Sequence, residues 1–313
     1  MTALTSTLQL GDPLEHRGIV LVPLFPRLAR RVEYVTLEEA LPLGFLIRET
    51  SEAGSVPELI AQNPTGTNVL LYDGEELVGA KQNRILNVTV LVGAESLVSI
   101  PVSCVEQGRW AYRTSSFAPA AHTAYPELRR RKAERLQAEP LAPGRAQHEV
   151  WDAVAEKSVR YSVDSPTGAQ VDIFASRRGD LDRLREAFPL QPGQSGAVLA
   201  LGEAICLDYL SRPDAFARLY PKLLDGYLLD ALERLDRKPA ETTAVEGFAA
   251  RVEAAERTRG RSPGLGDDQR LHAPGIVGSG LEVDGETVQL SAFTSQHMTE
   301  RFQTRIARPT SRR

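Results

Sequence analysis

Strand-like runs fill the first 115 residues and return at 280–293, while helical periodicity is confined between them. A doubly wound parallel sheet needs strands and helices in alternation. This order instead predicts an α+β fold: an antiparallel β-rich sheet or sandwich with a substantial helical insertion. "GIVLVPLF" (18–25) is an apolar run bounded by Gly and Pro, the pattern of a strand covered on both faces. "TNVLLYDGEELVGA" (67–80) reads as two strands turning at Asp73-Gly74, a type I′ hairpin signal. "RILNVTVLV" (84–92) and "SLVSIPVSCV" (96–105) are rich in Val and Ile and flank a Gly93 turn, which predicts a second hairpin.

The middle of the chain changes character. Residues 125–160 hold two helical stretches separated at "PLAPG", with Pro143-Gly144 as the break. "SPTGAQVDIF" predicts a turn and a strand near 171, and "DLDRLREAF" (180–188) a short helix stopped by Pro189. "SGAVLALGEAICLDYL" (195–210) predicts two strands around Gly202. Phe216, Leu219, Tyr220, Leu223, Leu224, Tyr227 and Leu228 recur at steps of three and four, so 213–236 is helical. Ser211 with Asp214 gives an N-cap signature, and Pro221 is expected to divide this stretch into a short helix and a longer one. Val245, Phe248, Ala249, Val252 and Ala255 predict one more helix. Residues 259–280 read as a long Gly/Pro-rich loop, and 280–293 as a hairpin turning at Asp284-Gly285. The expectation is one α+β domain: β-rich at 8–115, a helical insertion at about 125–258, and a returning hairpin that completes the N-terminal sheet. A frayed basic tail (294–313) follows.

Composition narrows the function classes. With 42% hydrophobic and 25% charged residues, a packed core is expected and global disorder is not. A net charge of −4 argues against a nucleic-acid binder, and the acids interleaved in "ELRRRKAERL" (127–136) read as a solvated helix face. Cys104 and Cys206 are far apart and form no CxxC pair, so neither a zinc site nor a disulfide framework is predicted. The N-terminal stretch lacks the pattern of a signal peptide, and no apolar run reaches membrane-span length. A soluble, reduced, cytoplasmic protein with no membrane partner is expected.

Two dense polar stretches stand out. "GEELVGAKQNR" (74–84) supplies Glu75, Glu76, Lys81, Gln82, Asn83 and Arg84; "PVSCVEQGRW" (101–110) supplies Cys104, Glu106, Arg109 and Trp110. Alternation along a strand puts Glu75 and Glu76 on opposite faces. Gln82 and Asn83 can hydrogen-bond a ligand, Lys81 or Arg84 can meet an anion, and Trp110 can offer a stacking face. Glu106 is expected to pair with Arg84 or Arg109. A carboxylate beside Cys104 raises a thiol pKa, so a buried structural Cys is favoured over a nucleophile, unless His122, His148 or His272 approaches in space. Asp267-Asp268, in the Gly-rich 261–272 segment, is the pattern for a divalent ion, although paired aspartates are common without one and no metal is assigned.

"DGEELVGAKQNRILNVTVLV", "IPVSCVEQGRW" and "SGAVLALGEAICLDYLSRPDAFARLYPKLLDGYLLDAL" resemble the family associated with ADP-ribosylglycohydrolase and rhodanese-phosphatase domains, over about residues 8–295. That resemblance implies a role around ADP-ribose or related phosphorylated nucleotides and transfers no catalytic residue or cofactor. Two readings follow. In one, the ten residues wall a pocket for a small anionic or nucleotide-derived ligand. In the other, the same residues form a hydrogen-bond network inside a non-enzymatic interaction module, whose apolar helices supply a partner or homo-oligomer surface.

Overall fold

Residues 19–26, 196–210 and 276–294, all rich in Val, Ile and Leu, lie together in one antiparallel sheet in the computed structural model. The structure describes residues 8–27, 31–138 and 147–295. The expected break at Pro143-Gly144 and the basic tail after Ser295 lie outside the described residues. The sheet has nine strands in the order β1 (Leu8–Leu10), β3 (Ile19–Pro26), β13 (Gly196–Leu201), β14 (Ala204–Leu210), β18 (Glu286–Thr294), β17 (Ile276–Val283), β16 (Asp267–Ala273), β15 (Glu256–Arg261). β2 (Leu14–His16) also pairs with β3. A small sheet joins β4 (Val35–Thr36), β7 (Val69–Leu71) and β10 (Val90–Val92). A six-stranded sheet runs β12 (Phe117–Thr123), β8 (Glu75–Gly79), β9 (Arg84–Leu86), β11 (Ser96–Cys104), β6 (Glu58–Asn63), β5 (Leu46–Glu49). The helices are α1 (Leu37–Ala40), α2 (Pro126–Ala138), α3 (Gln147–Arg160), α4 (Gln170–Ser176), α5 (Arg178–Arg185), α6 (Pro213–Ala231) and α7 (Thr242–Ala254). The fold is α+β, as the element order predicts.

Period-two alternation sets the layers of the large sheet. Leu21, Leu199 and Cys206 face a core shared with Phe216, Leu223 and Tyr227 of α6, and with Leu128 of α2. Val20, Val22, Val198 and Leu207 face the other side and pack on Val245, Phe248 and Val252 of α7. The predicted hairpins at Gly202 and Asp284-Gly285 both form. Gly202 has φ +63°, and Asp284 and Gly285 have φ +50° and +76°, the left-handed pair that a type I′ turn demands. β18 pairs with β14, so the returning hairpin enters the sheet that holds β3.

Several local expectations are overturned. Asp73-Gly74 makes no hairpin, because β7 pairs with β4 and β10 while β8 pairs with β9 and β12: the chain changes sheets there. The Gly93 turn likewise separates sheets, since β10 joins β7 and β11 joins β9 and β6. The segment near 171 is helical, not a strand, with Gln170, Ile173 and Phe174 on its buried side at helical spacing. Residues 259–280 are not a loop; they contain the second half of β15, all of β16 and the first five residues of β17. Their polar composition reflects β15, an edge strand that is exposed almost throughout. Gly264 sits where the β15–β16 turn meets β10, and a Cβ there would lie 2.2 Å from the Leu91 carbonyl oxygen.

Pro221 lies inside a continuous α6. An internal proline costs about 3 kcal/mol. Fully burying each of Phe216, Tyr220, Leu223, Leu224 and Leu228 returns about 1.5–3 kcal/mol, so packing wins. The N-cap of α6 is Arg212, not Ser211: the Ser211 hydroxyl instead lies 3.3 Å from the Tyr34 hydroxyl, and Asp214 binds the Arg212 guanidinium.

Candidate functional site

β8 is an inner strand of the six-stranded sheet, and Glu75 and Glu76, on its two faces, are both buried, so both faces are covered there. They serve different partners, as alternation requires. Glu75 meets Lys222 of α6 at 3.1 Å. Glu76 accepts from Gln170 of α4 at 2.5 Å and from His122 of β12 at 2.9 Å, and His122 stacks on Phe174 with ring centroids 3.7 Å apart. His122 therefore serves Glu76 rather than the thiol of Cys104.

The turn from β8 to β9 lays Lys81, Gln82 and Asn83 against the segment after β11. All are buried, as are Arg84, Glu106 and Arg109. Glu106 is the hub. Its carboxylate accepts from the Asn83 amide at 3.0 Å, from Arg109 Nε and Nη2 at 2.9 and 2.6 Å, and from the Thr167 hydroxyl at 3.0 Å. Gln82 donates to the Glu106 carbonyl at 2.9 Å, and Arg109 also donates to the Ala80 carbonyl at 2.7 Å. Burial alone would raise the Glu106 pKa, but the Arg109 hydrogen bonds, the Asn83 amide and the Arg109 charge hold it below the usual carboxylate value. The predicted Glu106–Arg109 pair is thus present.

Arg84 is different. Its side chain is fully buried, and Nη1 donates to Gln82 Oε1 at 2.7 Å. Nε and Nη2 have no hydrogen-bond partner, and no carboxylate pairs with this guanidinium among the described residues. Those two nitrogens form one edge of the guanidinium, the parallel fork that grips a carboxylate or phosphate through two bonds. Arg109 uses that same edge on Glu106. The Trp110 ring, 47% exposed, lies 5.6 Å from Arg84 and 5.3 Å from the Lys81 ammonium. Buried acceptors without a partner include Glu49 Oε2, Glu76 Oε1 and Gln170 Oε1.

Cys104 is buried, with its thiol 3.3 Å from the Glu106 carbonyl, not the carboxylate. Burial pushes its pKa up, opposed by the Glu106 carbonyl and by the neighbouring Arg84 guanidinium through its charge and a hydrogen bond to the thiolate form, so it is not an activated nucleophile. Asp267 and Asp268 are neighbours on strand β16, and Asp268 pairs with Arg270 at 2.7 Å. No group of three metal-ligating side chains comes together among the described residues. Burial pushes Asp268 up to about 6, with Arg270 opposing and Asp73 adding. An acid raised in the folded state loses stability as pH climbs from its unfolded value, about 3.9, to its folded one. Asp268→Asn is expected to flatten the pH dependence of the urea midpoint between pH 4 and pH 6; an unchanged slope contradicts the assignment.

Sequence reasoning misplaced the charged α2 helix. Its Arg129 and Lys132 are fully buried rather than solvated. Arg129 binds Asp208 through two bonds, and Lys132 binds Asp73 and the Leu86 carbonyl. It also missed His122 and Gln170 as partners of Glu76. An Arg and a Lys three apart inside an amphipathic helix, with apolar Leu128 and Leu136 on the same side, was the available signal. No helix in the described residues is long and apolar enough to cross a membrane.

Residues 7–293 match the family model of the ARG and Rhodanese-Phosphatase-superfamily-associated Protein domain. Its description carries "ARG" rather than ADP-ribosylglycohydrolase, so the match itself says nothing of ADP-ribose. No curated protein and no solved structure matches the chain. The match spans nearly every described residue, including both polar stretches, and the chain belongs to the ARG- and rhodanese-phosphatase-superfamily-associated protein family.

Proposed function

We propose that the chain binds a small anionic ligand, of the nucleotide-derived or ADP-ribose-related class, with the anionic group held at Arg84. The observation that carries this reading is the buried Arg84 fork, Nε and Nη2, which lacks an acceptor. A buried cation without a counter-charge is costly, and an oxoanion held by both nitrogens removes that cost. The half-exposed Trp110 ring beside it suits a planar group, which favours a nucleotide over a bare anion. In this reading Gln82, Asn83, Glu106 and Arg109 are the scaffold that aims Arg84.

The second reading, a structural module, is favoured by the completeness of that scaffold: the Glu106 carboxylate spends its acceptors on protein donors. Arg84→Met separates the two. If Arg84 serves a ligand, the substitution removes an unpaired buried charge. The ligand-free protein then gains about 1–2 kcal/mol, at the low end of what replacing buried charges by apolar groups gives. Wild type with ADP-ribose at about 100 times its dissociation constant gains about 2.7 kcal/mol in thermal denaturation, and the variant gains nothing. If no nucleotide, ADP-ribose or phosphate stabilises wild type, and Arg84→Met is destabilised, the ligand reading is wrong and the structural one stands.

A further inference from the structure

A second cleft, built from other residues, lies over the large sheet. Leu199, Cys206 and Phe293 are cross-strand partners in one rung of β13, β14 and β18, so their side chains share a face. They line a cleft of about 370 Å³, together with the first turn of α2, the end of α6 and the 3-10 turn Leu232–Arg234. That volume is in the range of small-molecule sites, about 300–1,000 Å³. The floor carries these three side chains and Leu201, which shares their face two residues along β13.

The charges on the walls divide into two groups. Glu127 and Asp230 are committed to Lys157, at 3.1 and 2.7 Å, and Arg130 is committed to Glu134 at 2.7 Å. Arg234 and Glu203 are exposed and have no opposite charge in contact among the described residues. The Arg234 guanidinium donates to the Leu201 carbonyl at 3.4 Å. Glu203 stands two residues further on, in the β13–β14 turn. One uncommitted cation and one uncommitted anion therefore stand near the β13–β14 turn, at the rim of a cleft whose walls are polar and whose floor carries the apolar rung. An α-amino acid carries its two charges on a single carbon and its side chain beyond them.

We propose that this cleft binds an α-amino acid with an apolar side chain. Its carboxylate meets Arg234, its ammonium meets Glu203, and its side chain lies on the Leu199–Cys206–Phe293 rung. This site is independent of Arg84, so either proposal can fail alone.

The test is ligand-observed saturation-transfer NMR on the full chain with three probes: L-phenylalanine, 3-phenylpropanoate and phenethylamine. All share the ring; only the first carries both charges. L-Phenylalanine is expected to bind saturably, and each single-charge analogue about tenfold more weakly, the loss of one charge-assisted contact. Glu203→Gln and Arg234→Gln, both at exposed positions, are each expected to weaken L-phenylalanine by about the same factor while circular dichroism stays unchanged. Absence of saturable L-phenylalanine binding up to its solubility limit overturns the proposal. So does equal binding by 3-phenylpropanoate, or wild-type affinity in both variants.

Discussion

Arg129→Met is expected to destabilise the protein by about 3–5 kcal/mol, because it strands a fully buried carboxylate. Arg129 Nη1 and Nη2 bind the two oxygens of Asp208 at 2.9 and 2.7 Å, and Nη2 also reaches the Ser291 hydroxyl at 2.9 Å. Asp208 further accepts from Tyr72, Tyr227 and Ser291 at 2.5, 2.7 and 2.6 Å. Those hydroxyls satisfy its lone pairs but supply no charge. A buried carboxylate facing only neutral donors pays the desolvation cost that the guanidinium now offsets. The pair also joins α2 to β14, with Tyr72 and Ser291 brought in from two other segments, so the loss is expected in global unfolding rather than local fraying. Adding Asp208→Asn removes the stranded charge and is expected to recover about 1–3 kcal/mol, a coupling typical of residues in direct contact. Urea denaturation of the two single variants and the double variant measures all three terms. A cost below about 1 kcal/mol for Arg129→Met, in the range of a surface substitution, would show that the buried pair adds nothing.

These partners explain how far the sequence could be read. The type I′ signal at Asp284-Gly285 and the apolar steps of α6 are local, and both elements formed where they were expected. Asp73-Gly74 carries the same dipeptide, yet its flanking strands enter different sheets. Turn chemistry fixes a backbone bend, not the strand that accepts the bend's product. The burial of Arg129 and Lys132 depends on Asp208 and Asp73, 79 and 59 residues away. A helix rich in alternating charge looks solvated until those acids are placed beside it. The candidate site shows the same division. Its residues were legible as a dense polar set, because a plain core does not tolerate them unpaired. Which were mutually satisfied and which were not depended on pairings such as Gln170 with Glu76, 94 residues apart.

Glu106→Gln tests that division from the scaffold side. The substitution keeps the shape and removes the charge that four donors address. It leaves Arg109 buried without its carboxylate, an expected loss of about 3–5 kcal/mol at pH 7. The pH dependence gives the sign. The folded protein holds the Glu106 pKa below its unfolded value. Its contribution is therefore present above the unfolded pKa, about 4.3, and is lost as pH falls through the folded one. The penalty of Glu106→Gln is accordingly expected to shrink as pH falls below that unfolded value, where the unfolded wild-type chain takes up the proton first. A penalty that is constant from pH 7 to pH 3 would mean that the carboxylate's charge is not what Arg109 needs. Placed beside Arg84→Met, this variant separates two roles within one motif. A scaffold residue lowers stability when removed. A ligand-facing cation raises it and forfeits the stabilisation that an anion supplies. Opposite signs at Glu106 and Arg84, two residues linked through Gln82, together with anion stabilisation that Arg84→Met abolishes, separate a ligand-facing cation from its scaffold.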